Sequence, residues 1–225
     1  MIKRIIRLAG LFALLVFCLM QYLGFHYLNQ YKSLRSKPRS LAESFASLEH
    51  SLGRAIRFSK NPVFTYELGQ LYLQWAYEEN DLGRAEDRDR DLDKAIEAFR
   101  SGLVKYPIDG YGFNGLGYAY QLYNYPLFTY MEKGRLFMKR ALDLWPKDEF
   151  LTVNIMYVFL RQWDYLNPSE KIFVYSHLKK IWEFPMSIFL PMRERWRVDL
   201  GNTEKLNQIL RQDPEFWSRY GSYFE

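Results

Sequence analysis

Apolar positions divide this chain into one unbroken run and a long series of helical stripes. Residues 8–28 carry no charge. At about 1.5 Å per residue this run is roughly 31 Å long as a helix, matching the hydrocarbon thickness of a bilayer. Over residues 41–58 the apolar side chains Leu41, Phe45, Leu48, Leu52, Ala55 and Ile56 recur at helical spacing, with Ser40 and Glu43 placed as a capping box. Asn61-Pro62 stops that helix, and residues 63–77 form the next.

Residues 78–94 (EENDLGRAEDRDRDLDK) interrupt the apolar pattern and are expected to form a solvated loop leading into a helix start. The alternation of Asp87, Asp89, Asp91 and Asp93 has the look of a calcium loop. However, Leu92 stands where the loop's glycine belongs and Ala98 where its bidentate glutamate belongs. No metal is expected there. Residues 111–130 are rich in tyrosine and phenylalanine, and residues 135–144 supply a paired helix before Pro146. Residues 148–163 keep an apolar face with Phe150, Val153, Ile155 and Phe159. Asn167-Pro168-Ser169-Glu170 opens another helix, ending near Phe184-Pro185. Residues 187–200 and 203–211 make a last pair broken at Gly201-Asn202, with Pro191 kinking the first of them or setting its start. Residues 213–225 are aromatic and suit a terminal cap. The fold class expected is all-α, with no strand pattern anywhere.

Two stretches share a pattern. The first reads Leu68-Gly69-x-x-Tyr72, then Ala95-x-x-x-Phe99, then Pro107. The second reads Leu116-Gly117-x-x-Tyr120, then Gly134-x-x-x-Met138, then Pro146. Both resemble the tetratricopeptide repeat. They depart from it in Thr65 for tryptophan, Gly134 for alanine, and a step of 48 residues from Leu68 to Leu116 against about 34 in the family. Extended turns near 78–94 and 124–133 are expected to absorb the excess. Gly69 and Gly117 are expected where helices cross too closely for a Cβ, with Tyr72 and Tyr120 three residues on along the same face. The resemblance implies three to four helix pairs after one transmembrane helix. It divides the chain into a 1–28 anchor, a 29–40 basic linker and a 41–225 repeat domain.

Charge changes the picture only near the N-terminus. The chain has 31 Lys and Arg against 26 Asp and Glu, a formal +5. Seven of the basic residues (Lys3, Arg4, Arg7, Lys32, Arg35, Lys37 and Arg39) lie in residues 1–39, which hold no acid; 24 basic and 26 acidic residues remain for the rest. The excess flanks the apolar run, so nucleic acid is not expected as a partner. Cys18 is the single cysteine and lies inside the run, which excludes an internal disulfide and paired-cysteine metal sites. No small-residue cleavage signature follows the run, so an uncleaved single-pass anchor is expected. A short basic N-terminus retained in the cytoplasm places the body outside, in a periplasm or its equivalent. Residues 29–40 then lie beside anionic head groups.

The chain shows no catalytic signature. His26, His50 and His177 are isolated, and the glycine-rich residues 111–117 lack the preceding strand of a phosphate loop. No enzyme activity, cofactor, metal or small-molecule substrate is expected. The resemblance implies a protein partner held along a concave groove. Its family positions fall on Tyr66, Gln70 and Gln74, on Asn114, Tyr118 and Gln121, and on Tyr157 and Arg161. The basic clamp with which chaperone-type repeats hold a carboxylate is absent, so stacking and neutral hydrogen bonds are implied. The leading expectation is a scaffold or adaptor in an envelope assembly complex. The alternatives are a structural subunit of a larger membrane complex and a glycan-binding accessory protein using residues 111–130.

Overall fold

A computed structural model describes residues 2–36, 40–123, 131–180, 185–201 and 203–224. They form eleven α-helices and two short 3-10 turns, with no strand among the described residues. The chain divides into two compact units, Met1–Gly134 and Arg135–Glu225.

The first unit begins with α1 (Ile2–Arg35), followed by α2 (Leu41–Phe58) and α3 (Pro62–Asp81). The Ser40 hydroxyl oxygen accepts the Glu43 N–H at the start of α2, and the Asn61 side chain accepts the Val63 N–H at the start of α3. Pro62 occupies the first turn of α3, where its missing N–H costs nothing.

α1 does not end with the apolar run. It continues to Arg35 because its second half is packed: Gly24, Leu28 and Tyr31 are buried, in one core with Leu48, Leu52 and Ala55 of α2 and Phe64 and Leu71 of α3. A Cβ on Gly24 would lie 2.6 Å from Ser59 Cβ and 3.2 Å from the Phe64 ring. The Ser59 hydroxyl donates to Gln21 Oε1 at 2.7 Å, Arg54 to the Tyr27 hydroxyl at 3.0 Å, and the Tyr31 hydroxyl to Glu67 at 3.2 Å. The stretch 29–40, expected to be a linker, is thus helix through Arg35. The first half of α1 is bare: Leu8, Leu11, Phe12, Leu15 and Phe17 are exposed. This is one helix long and apolar enough to cross a membrane.

α3 and α4 (Ala85–Lys105) differ from the expected extended turn at 78–94. α3 runs on to Asp81, residues 82–84 turn with Gly83 at φ 73°, and α4 starts at once. The charged run can be helical because Glu86 and Asp87 sit in the first turn, where the helix dipole favours acids. Asp87–Arg90 and Asp91–Lys94 then pair at i,i+3, at 2.9 and 3.0 Å. Residues 78–94 therefore lie mostly in two long helices, not in loop. The second extended turn falls largely on residues 124–130, outside the described residues, as do Tyr125, Phe128, Tyr130, Lys37, Arg39, Phe184 and Asn202.

α5 (Gly110–Tyr123) completes the packing around α4. Phe99 of α4 is fully buried between two glycines. A Cβ on Gly69 of α3 would lie 2.7 Å from its ring, and one on Gly115 of α5 would lie closer still. The glycine of α5 that meets Phe99 is Gly115. Gly117 instead brings its carbonyl to 2.7 Å from where a Cβ on Gly134 would be, at the start of α6 (Met131–Leu144). Gly69 and Tyr72 both border α4, and Tyr72 also reaches α2. Gly69 meets Phe99, whereas Tyr72 lies under Lys94 at 5.2 Å and its hydroxyl donates to Glu49 of α2.

The second unit contains the rest of α6, α7 (Glu149–Arg161), α8 (Pro168–Lys179), α9 (Pro185–Leu200), α10 (Glu204–Arg211) and α11 (Pro214–Tyr220). Asn167 and Glu170 form a complete capping box at the start of α8. Pro191 lies inside α9, which begins at Pro185. At the C-terminal end Phe189 is ringed by Phe216, Tyr220, Tyr223 and Phe224 at 5.1–5.9 Å.

The Phe99 sandwich sets two expectations. Phe99→Ala loses about 3–5 kcal/mol of stability, since a ring held on both sides leaves a cavity that cannot collapse. Gly69→Ala loses about 1–3 kcal/mol by overpacking, because the ring has no free side to move toward. Chemical denaturation of the detergent-solubilised full chain measures both; wild-type midpoints would refute the sandwich.

Candidate functional site

α3 and α5 lie side by side against α4, and their shared seam carries most of the residues singled out in the sequence. Tyr66 opens the seam, with its ring centroid 6.0 Å from Phe99 and 6.0 Å from Tyr111 of α5. Burial, then the neighbouring Glu67 and Asp109 carboxylates, push its hydroxyl well above the usual tyrosine range. It therefore stays a neutral donor. Gln70 and Gln74 follow at i+4 and i+8 and are half-buried. On α5, Asn114 and Tyr118 follow Tyr111 on one stripe; Tyr118 is half-buried and Asn114 buried.

Asn114 is the unusual member. Only 5% of its surface is accessible, and its Oδ1 has no hydrogen-bond partner within the chain. A buried amide oxygen without a donor is costly, and with almost no accessible surface it is closed to a donor from outside the chain. Gln121 serves the fold instead, because its Nε2 donates to the Met131 carbonyl at 2.9 Å and ties α5 to α6. It is buried.

The glycine-rich stretch 111–117 is the body of α5. Its N-terminus already holds an acid, since Asp109 Oδ1 accepts the Tyr111 N–H at 3.0 Å. Burial raises the Asp109 carboxyl, against the lowering effect of the Gly112 and Tyr111 N–H groups. The acidic stretch of α4 does not converge either: Asp91 is buried beside Lys94 while Asp93 faces solvent. Among the described residues no group of three His, Cys, Asp or Glu side chains is placed to hold a metal.

The last two groove positions lie in the second unit. Arg161 is exposed, but Tyr157 is only 2% accessible. Its hydroxyl donates to Asp199 at 2.5 Å, Arg195 covers its ring at 4.3 Å, and Trp196 meets its edge at 6.2 Å. Burial, then the Asp199 hydrogen bond, push it up to about 12. Tyr157 is a core residue here. Nearby in the same unit, the Arg135 guanidinium grips Glu170 at 2.7 and 3.3 Å and Gln162 at 3.0 Å, all buried or half-buried.

The signal that separates Asn114, Gln121 and Tyr157 from their exposed neighbours is burial, which spacing along a helix does not report. Compared with protein-family models and with curated proteins, the chain matches none.

His26 and His50 are exposed, whereas His177 on α8 is buried with Nε2 unpartnered. Burial, then Lys180, push its imidazole down to about 4, with Asp143 opposing. The folded state thus binds the proton more weakly than the unfolded chain, whose histidine titrates near 6.5. Stability is complete above about pH 6.5 and falls as pH drops from there to about 4, where the loss levels off at about 3 kcal/mol. Urea midpoints of wild type and His177→Gln at about pH 7 and about pH 4.5 test this. The variant is expected to lose less stability over that interval, and parallel losses would refute the assignment.

Proposed function

We propose that this chain is a membrane-anchored, tetratricopeptide-like scaffold that holds a protein partner along the α3–α5 seam, with no catalytic role. Three features support the reading. α3 and α5 flank α4 through Gly69 and Gly115, the serial packing of a helical repeat. The seam they share carries tyrosines and amides. Within it, Tyr66, Gln70, Gln74 and Tyr118 keep part of their surface open along the two helices, and this observation carries the proposal. Rings and amides so placed stack on and hydrogen-bond an extended peptide.

α1 tethers the scaffold, and Lys3, Arg4 and Arg7 ahead of its apolar run favour a body on the extracytoplasmic side, such as the periplasm. That location fits assembly or biogenesis work in the cell envelope. Tyr157, buried against Trp196 and Asp199, is not part of the contact surface in this reading. A permanent place in a larger membrane complex is the second reading, favoured by the exposed Leu136, Phe150 and Ile172 of the second unit.

A photo-crosslinking residue at Gln70 or Tyr118, in intact membranes, is expected to give a discrete protein adduct that the same group at Glu97, exposed on α4, does not give. Equal labelling at all three positions, or none, would sink the seam as a binding surface.

A further inference from the structure

The first unit has two unlike ends. α2 ends and α3 starts beside α1, where Ser59 bonds Gln21 and the Phe64 ring meets Phe25 edge-on at 5.5 Å. α4 ends at the same place: a Cβ on Gly102 would lie 2.9 Å from Thr65 Oγ1 and 3.8 Å from the Pro62 carbonyl. The chain beyond Gly102 therefore extends past the start of α3, toward the bare half of α1. The turns 59–61 and 106–109 share this end.

Its surface pairs basic and apolar groups. Arg57, Lys60 and Lys105 are exposed around Val63 at 49%, Val104 at 85% and Tyr106 at 42% accessible. The single acid at these turns, Asp109, is half-buried and turned to the Tyr111 N–H. The opposite end, around the 82–84 turn, has more acids than bases, with Glu78, Glu79, Asp81, Glu86, Asp87 and Asp89 against Arg84, Arg88 and Arg90. Such a polarity along a bundle is an electrostatic orientation device near a charged surface.

The tether leaves little room. The bare residues 8–20 of α1 are roughly 20 Å long, short of the hydrocarbon thickness of about 30 Å. From residue 21 onward the same unbroken helix is packed on α2 and α3. No flexible linker separates the span from the folded end. To cross, α1 draws the folded end onto the interface.

Resting on the reading of α1 as a membrane anchor, we infer that this end of the first unit docks on anionic phospholipid head groups. Arg57, Lys60 and Lys105 meet the phosphates, and Val63, Val104 and Tyr106 sink to the acyl boundary. The acidic end points away, and the α3–α5 seam stands upright from the bilayer.

The test uses the full chain with Cys18→Ser, carrying a fluorophore at Val104→Cys or, at the opposite end, Leu82→Cys. It is reconstituted in nanodiscs of phosphatidylcholine with or without phosphatidylglycerol, each with a shallow spin-labelled lipid as quencher. The label at 104 is expected to be quenched several-fold more than that at 82. The difference should shrink when phosphatidylglycerol is omitted, or when Arg57, Lys60 and Lys105 are changed to Glu. Equal quenching at 104 and 82, in protein that still floats with vesicles after alkaline washing, overturns the docking and leaves the anchor intact. Failure to float overturns both.

Discussion

A phenylalanine ring lodged between two glycines holds the first unit together. Phe99 has lost all its accessible surface, and its ring meets Gly69 on α3 and Gly115 on α5 at distances that leave no space for a methyl group. Three helices are thereby pulled to one ring. Burial of a full aromatic side chain is among the larger single contributions a core can make. It also sets the helix spacing: with any side chain at either glycine, α4 would stand away from that neighbour. The seam between α3 and α5 exists because both helices are drawn to the same residue.

The same economy of side chains governs α1. Gly24 lets it reach Ser59 and Phe64, after which Leu28 and Tyr31 close the core. One helix therefore has two environments along its length, a bare apolar half and a half that belongs to the protein interior. A helix unbroken between them transmits position, so the bare half cannot swing freely relative to the helices of the first unit. This stiffness is what gives a basic, apolar end of the body any meaning as a surface facing lipid.

The second unit is organised differently, around polar groups withdrawn from water. Glu170 caps α8, accepts both arms of Arg135, and shares that arginine with Gln162. A buried ion pair of this kind contributes little net stability against an apolar alternative, but it tolerates only one arrangement of its helices. Tyr157, buried beneath the half-buried Arg195 and bonded to the exposed Asp199, joins α7 to α9. His177 is the exception, buried with a nitrogen unmet and dependent on staying neutral.

What the sequence determined by itself was local: the apolar run in α1, the limits of α2 at Leu41 and Phe58, the cap at Ser40, the break at Asn61-Pro62, the helix start at Asn167-Pro168, and the absence of strands among the described residues. Each follows from contacts within about one helical turn, which spacing and capping chemistry report directly. The tertiary structure decided which glycine receives Phe99, that α1 continues to Arg35, and that the acidic run joins α4 in place of a loop. It also decided that Asn114, Gln121 and Tyr157 lie inside, among candidate contacts that one helical stripe could not tell apart. Those outcomes depend on which distant helix covers a given face. A side chain's burial is a property of its neighbours across the fold, and neighbours along the chain do not encode it.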